Sequence, residues 1–386
     1  MFIFYLFFLL RFSGFKNSWD TYKLKDLLIN KSSNISINQL DENMGEYPLY
    51  GAGGFLKSID FYEMDCDYIS IVKDGSGVGN ISFHEKNSSI VNTSQYLLPK
   101  DNIDINFIFY LLQTINLDKY KTGSTIPHIY FKDYSIEKVH IPKLDEQSRI
   151  GFLFKNIDLK IKILEKKCQN YQEFKKYLMQ QIFTQKLRFK NYDEDDFKDW
   201  KERKLSEFLV EHKLKSTGNE EVYSVSVHKG LVNQVEHLGR DFSASDTSKY
   251  NLVKYGDIVY TKSPTGDFPL GIIKQSRVNK DVIVSPLYGV FTPETYDLGY
   301  ILNDYFESNA NTFNYLHPIV QKGAKNTMNI TNKTFLSKSL FVPTDKREQH
   351  KISECLSKIN KAINLIEIQI QHNIEFKKGL LQQMFV

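Results

Sequence analysis

Cysteine is scarce in this chain of 386 residues, and its three copies are too far apart to suggest a shared site. Cys66, Cys168 and Cys355 form no CxxC pair and have no histidine cluster of metal-ligand spacing beside them. The sequence therefore predicts a reduced, cytoplasmic protein without structural zinc.

Long apolar runs are also missing. The apolar start of the chain, from Met1 to Leu10, lacks a basic n-region and has half of the ~20 residues that span a bilayer. We interpret residues 1–9 as an N-terminal extension, and no membrane partner is expected.

The motifs of common nucleotide-using and DNA-modifying enzymes are absent as well. No glycine precedes a lysine, which excludes a Walker A loop, and none of the ten prolines is adjacent to another, as the usual amino-methyltransferase motif requires. The nine histidines show no metal or triad spacing. Glu202 and Lys204 have a Glu-x-Lys spacing that chance also produces. The sequence therefore predicts a chain with no catalytic residues, no metal site and no cofactor of its own.

One glycine-rich segment, Lys73–Gly79, could be taken for a phosphate-binding or S-adenosylmethionine-binding loop. It lacks the aromatic residue that an adenine-methyltransferase loop would carry before its glycines. We interpret it as a tight turn between two strands.

Length and composition permit two or three ordinary domains, since a domain takes roughly 150 residues and 41% of this chain is hydrophobic. The net charge of +4, from 50 basic and 46 acidic residues, is too small to identify a nucleic-acid partner by itself. Charge therefore permits such a partner without predicting one.

The chain contains a long, divergent repeat. The most similar block is Phe174–Phe183, which recurs 202 residues later as Phe376–Phe385. Two further blocks recur around it: a Leu-Arg-Phe start followed by a tryptophan (Trp19, Trp200), and a proline followed by Glu-Gln, which is typical of a helix start. One architecture is thus written twice.

Apolar residues between these blocks recur in alternating steps of four and three, which indicates a heptad seam in each copy. The residues predicted to pair the helices are Ile157, Ile161, Leu164, Leu178, Ile182, Ile359, Ile363, Ile366, Ile370, Leu380 and Met384. Each helix is expected to run about 40 residues, or roughly 60 Å. An antiparallel pair of the two helices is the economical arrangement; the alternative is that each helix packs on its own domain.

The predicted fold class is α+β, with two α/β domains in a pseudo-twofold arrangement joined by two long antiparallel coiled-coil helices. Short β-type runs punctuated by glycine and asparagine support mixed α/β domains. The predicted segments are the extension 1–9, a first domain 10–143, a first helix 144–187, a second domain 188–343 and a second helix 344–386.

Polar and basic loops carry the residue types that contact phosphates and base edges. In the first domain they include the segment from Lys121 with His128, which recurs in position from Gln321, and the second domain adds a Lys-Ser-Pro-Thr segment. The candidate DNA-binding residues are Lys73, Ser76, Lys121, Thr122, Ser124, His128, Lys262, Ser263, Thr265, Lys322, Lys325 and Asn326.

With these residues assembled, the chain resembles the specificity subunits of type I restriction-modification systems from Leu10 to Val386. Four phrases carry the resemblance: Tyr47–Gly54, Thr122–Ile129, Pro142–Gln147 and the helix block Phe174–Phe183. The apolar start departs from the family pattern.

The resemblance implies two target recognition domains, each reading one half of a split double-stranded DNA sequence, with helices that set the gap between the halves. It also implies two kinds of partner: modification subunits, which bind S-adenosylmethionine and methylate adenine, and a restriction subunit with motor and nuclease activity that uses ATP and Mg²⁺. Two other hypotheses stay open at this point: a stand-alone methyltransferase or nuclease with an unrecognised site, and an interaction scaffold that binds no DNA.

Overall fold

A computed structural model describes residues 10–40, 43–191, 193, 195–235, 246–322 and 328–385. The chain divides into two compact units. Unit 1 comprises the described residues up to Lys167 together with those from Ile366 onward, and unit 2 runs from Cys168 to Leu365. Both divisions fall inside long helices, so each unit contains a part of each helix.

Unit 1 contains nine strands among its described residues. They are β1 Asp20–Lys23, β2 Leu28–Ser32, β3 Tyr47–Gly51, β4 Gly54–Ile59, β5 Tyr68–Val72, β6 Ile81–His84, β7 Ser89–Ile90, β8 Ser94–Pro99 and β9 Lys138–Ile141. Its shorter helices are α1 Leu24–Leu27, α2 Ile105–Thr114 and α3 Phe131–Tyr134. The long helix α4, Leu144–Phe183, starts in unit 1 and ends in unit 2.

A four-stranded antiparallel sheet with the order β2-β8-β5-β6 lies at the centre of unit 1. Every residue of β5 is buried, as expected for an apolar, β-branched central strand. Helix α2 begins where Asp104 accepts a hydrogen bond from the Phe107 backbone N–H, and it packs its apolar face into the same core. A smaller sheet, β4-β3-β7, lies beside it, and β1 pairs with β9.

Unit 2 repeats this plan with a different sequence. Its described strands are β10 Lys201–Lys204, β11 Leu209–Glu211, β12 Tyr223–Ser226, β13 Gly230–Asn233, β14 Asn251–Val253, β15 Ile258–Tyr260, β16 Ile273–Gln275, β17 Val282–Val284, β18 Gly289–Pro293, β19 Gln321–Lys322, β20 Met328–Asn329 and β21 Ser339–Val342. Its helices are α5 Tyr296–Phe306, α6 Asn309–Leu316, α7 Asn332–Ser337 and the long α8 Lys346–Met384, which ends in unit 1.

The central sheet of unit 2 has the order β11-β18-β15-β16, which corresponds strand for strand to β2-β8-β5-β6. In both units a helix follows the second strand of that order, and a two-stranded pair, β1 with β9 or β10 with β21, joins the start of the domain to its end. The predicted α+β fold, with two mixed domains and two long helices, is confirmed.

Within each unit the two long helices share one core. In unit 1, Phe154 of α4 lies against Phe385, which directly follows α8, and the Lys377 ammonium of α8 lies 2.7 Å from the Asp158 carboxylate of α4. Residue numbers rise along α4 while they fall along α8, so the segments are antiparallel there. In unit 2, Leu178 and Ile182 share a cluster with residues of the first turns of α8.

The structure places the eleven predicted pairing residues at two levels of burial. Buried residues are Ile157, Leu178, Ile182, Ile359, Ile366, Leu380 and Met384; half-buried residues are Ile161, Leu164, Ile363 and Ile370. A second apolar face remains exposed on α4, with Phe152 and Ile163 among its members.

The repeated blocks of the sequence contact each other. The Arg11 guanidinium donates two hydrogen bonds, of 2.8 and 2.6 Å, to the buried Glu146 carboxylate in unit 1, and Arg188 donates two of 3.2 Å to the buried Glu348 carboxylate in unit 2. A buried charge is tolerated only when it is paired in this way. The Leu-Arg-Phe block and the Glu-Gln block therefore recur together because they form one contact.

Candidate nucleic-acid interface

Three connections of unit 1 converge at one place. They are the β3–β4 turn, the β5–β6 connection Lys73–Asn80 and the segment Lys121–Tyr130. The Gly75 N–H donates to the Pro127 carbonyl at 3.0 Å, and the Ile129 N–H donates to the Lys73 carbonyl at 2.9 Å. A Cβ on Gly77 would lie 3.9 Å from that of Ala52 in the β3–β4 turn. The structure thus brings together three chain segments that lie up to about 80 residues apart in the sequence.

Backbone hydrogen bonds hold the β5–β6 connection against Thr93 as well as against the segment Lys121–Tyr130. The Lys73 and Asp74 N–H groups both donate to the Thr93 carbonyl, at 2.9 and 3.2 Å. Gly75, Gly77 and Gly79 have φ between 82° and 89°, a left-handed conformation that other residues rarely adopt. The glycine spacing therefore serves a compact turn, from which the Ser76 side chain is exposed.

The segment from Lys121 folds back on itself. Thr122 and His128 exchange two backbone hydrogen bonds, of 2.9 and 2.7 Å. Gly123 sits inside this turn, where a Cβ would lie 2.4 Å from the Ile126 carbonyl oxygen. Only glycine fits there.

The predicted DNA-binding side chains of this turn are exposed, but one of them is already paired with a carboxylate. Lys121, Thr122 and Ser124 are exposed, but the Lys121 ammonium already lies 2.6 Å from Asp118. An exposed ion pair of this kind is worth little, so Lys121 can exchange its carboxylate for a phosphate at small cost.

Sequence reasoning missed two features of this surface. Asp74 contacts the His128 ring at 2.7 Å across 54 residues of sequence, a pairing that no local pattern in the sequence indicates. Two apolar side chains, Ile126 and Tyr130, are 57% and 47% exposed beside His128. The sequence did contain a signal for Tyr130: it lies two positions after His128, and residues with that spacing share one face of an extended segment.

In unit 2 the Lys262 loop occupies the topological position of the Lys73 loop. Both connect the third strand of the central sheet to the fourth, and both lysines stand one or two residues after the third strand ends. The sequence alone did not relate them.

The Lys262 side chain differs from Lys73 in its surroundings. Lys262 has φ of 59°, and burial lowers the pKa of its ammonium, an effect that Glu211 opposes. Ser263 is exposed, and the half-buried Thr265 closes a turn with Phe268 through two 3.0 Å backbone hydrogen bonds.

The last predicted group is only partly described. Lys322 lies in β19 opposite Met328 of β20, just as Thr122 lies opposite His128 in unit 1. Lys325 and Asn326 lie outside the described residues, as does the extension 1–9. The strand pairs that flank the two segments therefore correspond.

In the described ranges no three His, Cys, Asp or Glu side chains are grouped so that they could hold a metal ion. No helix in the same part of the chain is long and apolar enough to cross a membrane.

Comparison with known proteins gives matches of three kinds. Residues 16–172 match the family described as type I restriction modification DNA specificity domain. A protein of Mycoplasma pneumoniae named as a type I specificity subunit is 24% identical over 174 residues, which is 40% of this chain and 57% of that protein. The specificity subunit of the type I restriction enzyme MjaVIII from Methanocaldococcus jannaschii is 27% identical over 150 residues, which is 36% of this chain and 35% of that protein.

A solved structure extends the likeness to the whole chain at the level of fold. The crystal structure of the S subunit of a type I restriction-modification system from M. genitalium superposes with a TM-score of 0.68, over 98% of this chain and 99% of that one, at 14% identity.

Unit 1, with its central sheet and converging loops, contains most of the segment that matches the DNA specificity domain. Residues 16–172 carry the match to the type I restriction modification DNA specificity domain, and both curated relatives are named as type I specificity subunits. The curated relatives are matched over 57% and 35% of their own lengths.

Proposed function

We propose that this chain is the sequence-reading, non-catalytic subunit of a type I restriction-modification complex, and that it recognises a bipartite double-stranded DNA sequence. The observation that carries the proposal is the convergence of Lys73–Asn80 with Lys121–Tyr130 inside the segment that matches the DNA specificity domain. Lysine ammonium groups and backbone amides suit phosphates, whereas serine, threonine and histidine side chains suit base edges as well.

The repetition supports a target in two parts. Unit 2 has the same order of strands in its central sheet and a lysine loop at the same position, but its loop sequences differ from those of unit 1. Base readout depends on individual side chains, while the sheet fixes only where they stand. Two units of one plan with different loops should therefore read two different half-sequences.

The chemistry of such a complex belongs to the other subunits. Modification subunits would bind S-adenosylmethionine and methylate adenine, and a restriction subunit would use ATP and Mg²⁺ to translocate and cut DNA; this chain would bind none of these cofactors. The modification subunits would dock on the long helices and adjoining surfaces, and the complex would work in the cytoplasm. The exposed apolar face of α4 is consistent with such docking.

The experiment that tests the proposal is methylation-sensitive sequencing of plasmid DNA. Cells that express this chain together with its modification subunit are compared with cells that express the modification subunit alone. A new methylated sequence in two parts, dependent on this chain, is the expected result. Methylation or cleavage by the purified chain alone would contradict a non-catalytic role. If this chain co-purifies with the modification subunit but produces no new methylated sequence, and the complex shows no sequence preference in a gel shift, the proposed role in DNA sequence recognition is contradicted.

A further inference from the structure

One polar contact in the unit 1 interface joins its two loops through side chains. The His128 Nδ1 atom lies 2.7 Å from Asp74 Oδ1, and both residues are held by backbone hydrogen bonds as well. Their side chains are 35% and 33% exposed, so the pair lies at the surface with its ring held in place. The ring also stacks within 14° of parallel on exposed Tyr130.

The carboxylate decides which ring nitrogen carries the proton. A carboxylate only accepts, so the neutral imidazole donates from Nδ1 to Asp74 and keeps its lone pair on Nε2. Nε2 makes no hydrogen bond within the described residues, and it is not among the buried polar atoms that lack a partner. The pair therefore presents an oriented hydrogen-bond acceptor to solvent.

An acceptor at this place selects its ligand. Phosphate oxygens are themselves acceptors, so they suit Lys73 and Lys121 rather than the Nε2 lone pair. In the major groove, the donors are the exocyclic amino groups, N6 of adenine and N4 of cytosine, whereas guanine and thymine present acceptors.

On the basis of the proposed function, we propose that His128 reads a base edge in the half-sequence of unit 1 as an acceptor from an adenine or cytosine amino group. Asp74 is its positioning residue, because it fixes the tautomer and the ring orientation without contacting the base. This goes beyond a general DNA contact, since it predicts which bases are accepted at one position.

The test uses the complex of the full chain with its modification subunit and the DNA sequence found by methylation sequencing. Each adenine of the half-sequence is replaced in turn by purine, which lacks N6, and each cytosine by pyrimidin-2-one, which lacks N4. One replacement should weaken binding roughly 5- to 150-fold. In His128→Phe the same replacement should cause no further loss, and positions in the other half should respond as in the wild type.

Three variants separate reading from folding. Asp74→Asn should weaken the preference at that one position only, because the amide can also donate to the ring and reverse its tautomer. His128→Gln, whose amide carbonyl can accept, should keep part of the preference that His128→Phe loses. Lys86→Ala, an exposed position two residues after the end of β6, is the control that should change nothing. Thermal unfolding of each variant checks that unit 1 is folded.

The outcomes distinguish this inference from the function on which it depends. If no amino-group replacement weakens binding, or if His128→Phe responds to them as the wild type does, His128 is not an acceptor for a base. Sensitivity of the same contact to 7-deazaguanine would make it a donor and also overturn the inference. If the wild-type complex has no bipartite target at all, it is the proposed function that fails.

Discussion

His84 is a buried histidine that has to remain neutral. It lies 8% exposed in β6, with its Nε2 atom 2.8 Å from Ser70 Oγ and its ring against Tyr50 and Tyr68. No carboxylate is paired with it in the described ranges, and burial lowers its pKa to about 4. Folding of unit 1 therefore excludes a proton that the unfolded chain binds near pH 6.5.

We expect unit 1 to lose stability as the pH falls through this window. Because the folded pKa is the lower one, the contribution of neutral His84 is complete above about pH 6.5 and is lost between there and about pH 4, with a total of about 3 kcal/mol. Urea unfolding measured against pH should show this decline and should show it weakened in His84→Leu. The exposed His140 provides the control His140→Leu, and an equal effect of both substitutions would contradict the assignment.

Lys73 stands at the start of the β5–β6 loop, with its ammonium only 3.8 Å from Asp74 and 25% of its side chain exposed. We expect Lys73→Ala to weaken DNA binding about equally for all sequences and to reduce the salt slope of log K by about 1, since one phosphate contact is lost. Binding titrations of the complex at several salt concentrations measure this. Lys86→Ala should leave the slope unchanged, and a change in base preference with Lys73→Ala would mean that Lys73 reads bases.

At the scale of the elements, the long helices depend on polar residues as well as on their apolar seams. Lys175 falls where the seam of α4 would take an apolar residue, and its ammonium lies 3.3 Å from Asp304 and 2.5 Å from Glu307. Asp304 is fully buried and also accepts a hydrogen bond from Asn360 of α8. This network ties both long helices to α5 within unit 2.

We expect Lys175→Met to destabilise unit 2 by about 3 kcal/mol, even though methionine suits a helix seam. The substitution removes the cation nearest to the buried Asp304 and leaves only Arg277, 3.7 Å away and at the surface, to compensate it, so the loss of charge pairing costs more than the apolar contact returns. Equilibrium unfolding in urea measures the change. Lys176→Met, one residue further along and exposed, is the matched control and should stay within 0.5 kcal/mol of the wild type, as ordinary surface substitutions do. Equal effects of the two would show that the network contributes little.

At the scale of the molecule, each unit closes its domain with a strand pair, so a domain can be exchanged as a piece. Exchange of residues 13–143 for the corresponding segment of another specificity subunit should change one half of the recognised sequence and leave the other half intact. Strands β1 and β9 pair near the two ends of this segment, which keeps the junctions close together. Methylation sequencing of the hybrid provides the measurement. A hybrid that altered both halves would contradict independent reading, and exchange of residues 190–343 is the reciprocal control.

The sequence by itself determined the repeat, the two long helices and the mixed composition of the domains. These features are periodic or local: a heptad step or a recurring Phe-Lys-Lys block is visible without knowing what packs against it. The helices indeed run 40 and 39 residues. The same local reading recognised Lys73–Gly79 as a turn, because three glycines at alternate positions permit the left-handed backbone observed there.

Only the tertiary structure decided which distant residues meet. Asp74 contacts His128 and Lys175 contacts Asp304, although no local pattern connects the members of either pair. Strand order also places Lys262 at the position in unit 2 that Lys73 has in unit 1. Both contacts depend on the order of strands in a sheet or on the pairing of long helices, which brings together residues 54 positions apart for Asp74 and His128 and 129 apart for Lys175 and Asp304. Such contacts are selected by the packing of the whole domain, so a single sequence shows the candidates without showing which of them become partners.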